Sequence, residues 1–232
     1  MSEALSRGEV PARNLSEALS VDFSILLATL APSQSQPIWE KGVVKRMQQA
    51  AAILGPQEVP RLSASPSDTV RGIACYAAML DPKLTLQRRL AILKPFAADP
   101  HFGVREWAWL AFRPYFLSAV EESIELLIPF TESRDENIRR FATEATRPRG
   151  VWCAHCDALK RNPELGLPLL DPLKSDGAKY VQDSVANWLN DAAKTQPSWV
   201  QSICRRWLSA SPSKATVRIA TRAQRNIASK AK

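Results

Sequence analysis

The sequence predicts an all-α fold, an α-solenoid of stacked helix pairs. Three observations predict it. Glycine is scarce, with 8 residues in 232, which argues against a turn-rich β sandwich. Long alternating runs of β-branched residues and Asn-Gly turns are missing, so little strand is expected. The strongest observation is internal repetition. Five segments share one pattern, Val70-Arg71, Val104-Arg105, Ile138-Arg139, Val181-Gln182 and Val217-Arg218, at steps of 34, 34, 43 and 36 residues. Four residues after each marker come Ala74, Ala108, Ala142, Val185 and Thr221. Pro95, Pro129 and Pro172 each lie nine residues before a marker. That period, with helical spacing, is the period of HEAT-like or armadillo repeats.

The elements follow in order. Residues 1–62 do not fit the repeat. They read as helices at 14–19, 22–30 and 37–54 with a loop at 31–36, and are expected to form a helical cap packed on the solenoid, within one structural unit. Residues 63–232 hold about five helix pairs and end in a basic helix. The first helix of a pair ends near its proline (86–94, 123–128, 163–170), and the second starts at the marker. Asp68, Asp99, Ser133 and Asp176 lie just upstream, suited to capping. Counting the marker as zero, offsets 0, 3, 4 and 7 make one stripe. It reads Val104, Trp107, Ala108, Ala111, then Ile138, Phe141, Ala142, Ala145, then Val181, Ser184, Val185, Trp188, and is expected to be core. Offsets 2, 5, 6 and 9 form the opposite face: Glu106, Trp109, Leu110, Arg113, then Arg140, Thr143, Glu144, Arg147, then Asp183, Ala186, Asn187, Asn190. Second helices line one surface of a solenoid, and such surfaces bind. Trp109 stands out there as an exposed aromatic, unless a neighbouring helix or the loop near Trp152 covers it.

Charge narrows the partner. The formal net charge is +8. Residues 203–232 carry eight basic side chains and no acidic one, so the tail holds the whole excess. A one-sided basic segment suits phosphate or another acidic surface. Phosphate-cradling glycine loops, GxSxG and HExxH do not occur. No apolar run nears the ~18 residues that span a bilayer. The first residues lack a signal-peptide pattern, so a cytoplasmic chain without membrane contact is expected. Cys75, Cys153, Cys156 and Cys204 are too few for a disulfide framework. With only His101 and His155 and a single CxxC, no metal is expected, nor any cofactor. Trp152-Cys153-Ala154-His155-Cys156 looks like the WCxxC of redox proteins, but the strand that normally precedes it is missing.

Two stretches carry a family resemblance. Asn137-Ile138-Arg139-Arg140-Phe141-Ala142-Thr143-Glu144-Ala145-Thr146-Arg147-Pro148-Arg149, followed by Trp152, resembles the VRRLxSEGTRPRxxW signature of the bacterial AlkC family of DNA alkylation-repair proteins. Ser184-Val185-Ala186-Asn187-Trp188-Leu189-Asn190-Asp191, with Lys194 and Pro197, is similar to that family's SVANxLNDxxKxxP, and Phe112-Arg113-Pro114 to its IRP. The likeness runs from about residue 67 to 227. It implies a solenoid that cradles duplex DNA containing alkylated bases. It also implies a monomeric N-glycosylase for cationic purines of the N3-methyladenine type, releasing the base without flipping it into a pocket. Glu106 and Asp191 would then face the sugar, with Trp109 and Trp152 against the damaged nucleotide. Arg113, Arg140, Arg147, Arg149, Asn187, Asn190, Arg218, Arg222 and Arg225 would meet the duplex. The family usually has an acid four positions before the Arg of IRP. Here that position is Trp109, and Glu106 lies one turn earlier. A solenoid that binds DNA or a protein partner without cleaving a bond is the alternative.

Overall fold

The computed structural model describes residues 3–34 and 36–228. Ser35 of the expected 31–36 loop and the tail lysines Lys230 and Lys232 lie outside the described residues. The described residues contain helices and no strand. They are α1 (Glu3–Ser6), α2 (Leu15–Leu19), α3 (Phe23–Leu30), α4 (Val43–Leu54), α5 (Val59–Ser63), α6 (Asp68–Ala77), α7 (Leu86–Ala97), α8 (Phe102–Ser118), α9 (Val120–Leu127), α10 (Glu136–Ala145), α11 (Asp157–Arg161), α12 (Leu167–Leu170), α13 (Lys179–Ala192), α14 (Pro197–Ala210), α15 (Lys214–Ala223) and α16 (Arg225–Ala228), with short 3₁₀ turns between. The chain divides into two compact units, Met1–Phe112 and Arg113–Lys232. The boundary drawn at residue 62 falls within the first unit, where α4 and α5 both pack on α6.

In the first unit, Asn14 and Asp22 cap α2 and α3 by accepting from backbone N–H groups of the first turn. The third helix begins at Val43 instead of 37, because Gly42 turns the chain at φ 86°. The side chain of Asp68, in the first turn of α6, accepts from Ala12 N at 2.7 Å and ties the N-terminal segment to the first repeat.

All five markers lie in the first turn of a second helix: α6, α8, α10, α13 and α15. The Val-Arg pairing has a mechanical reason. The Arg71 Nη1 donates to Ser65 O and Pro66 O at 2.8 and 2.9 Å. Arg105 makes the same pair of bonds to Asp99 O and Pro100 O, and Arg139 to Ser133 O and Arg134 O. The other side of the guanidinium reaches forward: Arg71 forks onto Asp99 at 2.8 and 3.0 Å, and Arg139 onto Asp176 at 2.6 and 3.0 Å. Each of these marker Arg residues thus wraps the loop before its own helix, and Arg71 and Arg139 also grip the acid of the next repeat. Only a fork of five fixed donors can do this.

The capping expectation needs correction. Ser67 caps α6 and Asp135 caps α10, while α13 has no side-chain cap. Asp99, Ser133 and Asp176 instead accept from the N–H two residues on, closing the turn ahead of each helix.

The expected core stripe is buried at every position of α8, α10 and α13. The opposite face is buried more than its polarity suggested. Trp109, Leu110, Arg113, Thr143, Glu144, Ala186 and Asn190 are all covered. In the second unit the cause is visible: α13 lies between α10 and α15 and packs on both, so a second helix has neighbours on two sides. The last repeat is shifted by one residue. Val217 is 47% exposed, while Thr216, Ile219, Ala220 and Ala223 are buried. Those four stand at offsets 0, 3, 4 and 7 from Thr216.

Each unit seats one large ring against a glycine. A Cβ added at Gly72 would overlap Trp107 Cδ1, and one at Gly166 would overlap Trp188 Cζ2. Both rings are buried. Gly72→Ala is therefore expected to destabilise the protein by about 1–3 kcal/mol, the usual cost of overpacking. A drop in the denaturant midpoint without a change in far-UV circular dichroism is the expected reading.

Candidate nucleic-acid interface

The second unit gathers most of the motif residues. Asp191 on α13 accepts from Arg147 Nε at 2.8 Å, lies 2.7 Å from its Nη2, and takes Lys194 Nζ at 3.1 Å. Glu144 lies 3.3 Å from Arg147 Nη1 and 3.6 Å from Arg140 Nη2. Both carboxylates are buried. Burial alone would lower the Arg147 guanidinium, but Glu144 and Asp191 beside it outweigh that and hold it raised. The Arg140 guanidinium lies 4.2 Å over the Tyr180 ring.

The shifted register of α15 places its arginines. Counted from Thr216, Arg218, Arg222 and Arg225 stand at offsets 2, 6 and 9. These are the offsets that carry Arg140, Glu144 and Arg147 on α10, and Asp183, Asn187 and Asn190 on α13. One row therefore crosses three adjacent helices. Arg218 Nη2 donates to Asp183 Oδ1 at 2.7 Å, and Arg222 Nε lies 3.0 Å from the same oxygen. Arg225 Nη2 donates to Asn187 Oδ1 at 3.1 Å. Partial burial lowers the Arg225 guanidinium, and the Arg222 and Arg147 charges push it further the same way. An incoming anion would relieve that crowding of like charge.

Several expected site residues are placed differently from their reading. Arg113 is 1% exposed and donates to Ala145 O and Ala154 O, so its N–H groups face backbone carbonyls and not solvent. Asn190 is buried too, donating to Ala223 O at 2.9 Å and accepting from Asn226. Trp109 is 3% exposed, and its Nε1 donates to Glu106 Oε2 at 2.7 Å. The indole is thus covered, and it orients the one carboxylate a turn away in the first unit. Arg149 is half-buried, and its Nε finds no acceptor among the described residues. Trp152 remains exposed. Two contributors were not among the expected site residues. Tyr180 carries Arg140, and Asp183 bridges Arg218 and Arg222. Only the corrected register of α15 would have paired Asp183 with those arginines.

The CxxC segment is irregular until Cys156, which opens α11. Burial raises both thiols, and Arg113 offsets part of that rise at each. Burial also pushes Cys204 up to about 11 and raises Cys75 well above its ordinary value. Cys153 alone is not buried. A disulfide-exchange reagent at neutral pH is expected to label Cys153 first and the other three only on unfolding. Because the Cys153 thiol is raised, its rate should keep climbing with pH beyond the point where a free cysteine levels off. Peptide mass spectrometry reads both, and fast labelling of Cys75 would contradict them.

No helix of the described residues is long and apolar enough to cross a membrane. No cluster of three or more His, Cys, Asp or Glu side chains among them could hold a metal ion.

The structure matches Pseudomonas fluorescens alkylpurine DNA glycosylase AlkC bound to DNA containing an abasic site analog, with a TM-score of 0.69 over 98% of this chain and 24% identity. The fold is the AlkC-type α-solenoid. Both the all-α class and the AlkC resemblance read from the sequence therefore hold. The chain spans 66% of the AlkC chain in that structure. It is also 39% identical over 102 residues to the uncharacterized protein YhaZ of Bacillus subtilis strain 168, which is 44% of this chain and 29% of YhaZ. The chain thus spans less than two thirds of the length of either protein. No family model matches it.

Proposed function

We propose that this protein binds duplex DNA through the row formed by Arg140, Asn187, Arg218, Arg222 and Arg225, and removes cationic alkylated purines by hydrolysing the N-glycosidic bond. One observation carries the reading: an AlkC-type fold whose aligned offsets on α10, α13 and α15 bear mostly basic and amide side chains, with Glu144 and Asp183 among them. Alkylation at N3 or N7 gives the purine a positive charge and makes it a good leaving group. The protein then needs to stabilise the sugar as positive charge develops on it. Glu106, oriented by Trp109, supplies that carboxylate. Trp152 offers an exposed aromatic face to the cationic base. Asp191, by contrast, is already neutralised by Arg147 and Lys194, so its task is to hold Arg147. The protein works in the cytoplasm as a monomer on alkylated duplexes, without metal or cofactor.

A second reading is favoured by a specific observation. Trp109 occupies the place where the family usually has an acid, and it is buried. DNA binding without base release follows if Glu106 does not substitute. Incubation with methylated duplex DNA, followed by chromatography of freed bases, separates the two. Release of N3-methyladenine above the spontaneous rate supports the glycosylase. Retention of the duplex without release supports the second reading.

A further inference from the structure

Trp152 holds a backbone conformation that bulky residues rarely adopt, φ 61°, while the residue is 46% exposed. Such a residue is strained and persists only where its surroundings fix it. The segment that carries it, residues 146–156, is fixed at several points. Trp188 Nε1 donates to Thr146 O at 3.0 Å, and Cys156 N donates to Pro148 O at 2.9 Å. Arg147 is held by Glu144 and Asp191, and Arg113 adds further anchors. Its Nη1 donates to Ala145 O at 3.0 Å, at the end of α10. Its Nε and Nη2 both donate to Ala154 O, at 3.1 and 3.0 Å, two residues beyond Trp152.

We infer that Arg113 is a positioning residue, which holds the 146–156 segment so that the Trp152 ring meets the duplex already oriented. The inference rests on the proposed DNA reading for its consequence, but not for its geometry. Arg113 is buried, and its bonds to Ala145 O and Ala154 O turn the guanidinium inward, away from any phosphate at the surface. Its fork spans the end of α10 and the far side of Trp152 at once, and so joins the segment to the helix. A lysine ammonium lacks that fixed spread of donors. An ordered aromatic also loses less freedom on binding than one on a loose loop.

The experiment compares wild type, Arg113→Lys, Trp152→Ala and the double variant. Amide hydrogen exchange is followed in each, and so is affinity for a duplex containing an abasic-site analogue. Arg113→Lys is expected to speed exchange in residues 146–156 by about tenfold and leave α13 and α15 unchanged. It is expected to weaken DNA binding by about the same factor as Trp152→Ala, with no further loss in the double variant. Unchanged exchange in the segment overturns the inference. So does an additive loss in the double variant, because Arg113 would then act on DNA apart from Trp152. If wild type fails to hold the duplex, the DNA reading fails, and the exchange result alone decides the positioning role. If Arg113→Lys fails to fold, the wild-type Arg113 Nε–H signal decides it. The inference expects that proton to be protected from solvent and unshifted by DNA, and rapid solvent exchange overturns it.

Discussion

Glu106→Gln is expected to lower the release of N3-methyladenine by about 10²- to 10³-fold, the scale of losing one preorganised electrostatic contact to a transition state. Affinity for the duplex should stay nearly intact. The amide keeps the size of the carboxylate, and its oxygen can still accept from Trp109 Nε1, now at 2.7 Å from Glu106 Oε2. What is lost is the charge. A companion variant, Trp109→Phe, keeps a buried ring and removes the N–H that orients Glu106. It should fall between wild type and Glu106→Gln in release rate. Equal release by Glu106→Gln and wild type removes Glu106 from the chemistry.

The second large effect is on stability. Arg147 stands between two buried carboxylates, with Glu144 at 3.3 Å and Asp191 at 2.7 Å. Arg147→Met leaves Glu144 with Arg140 at 3.6 Å, and Asp191 with Lys194 at 3.1 Å. Breaking one partner of a buried ion network strands the others without solvent, at a cost of about 3–5 kcal/mol. Replacing the group together, as Arg147→Met with Glu144→Gln and Asp191→Asn, should cost less than the single change, because no charge is then stranded. Denaturant unfolding of the two variants reads the difference. A single variant as stable as wild type would mean that the network is solvated and contributes little.

Much of the architecture was legible from particular residues. The Val-Arg markers located the second helices of the first three repeats because Arg71, Arg105 and Arg139 perform the same carbonyl-gripping task in each. The stripe through Trp107, Phe141 and Trp188 was legible because helical phase decides burial wherever apolar residues recur. Two things were not. Phase alone cannot show that a second helix has neighbours on both sides, so Trp109, Arg113 and Asn190 read as surface although the fold covers them. The marker of α15 was misread because Val217 is β-branched like the others, whereas the buried position is Thr216, a polar residue. The candidate site was legible in its residues, through the Arg147–Arg149 and Asn187–Asp191 motifs, but not in its electrostatics. Which arginines are spent on Asp183, Glu144 and Asp191 depends on distances across helices.

The row on α10, α13 and α15 is the centre of the account, and salt dependence tests it most directly. Binding of an abasic-site duplex would be measured across a range of salt concentrations for wild type and for Arg222→Ala with Arg225→Ala. Each phosphate contact contributes about −0.9 to the slope of log affinity against log salt. The account expects a steep slope for wild type, shallower by about 0.9 for each arginine removed. A flat wild-type slope, or a slope indifferent to both replacements, contradicts it.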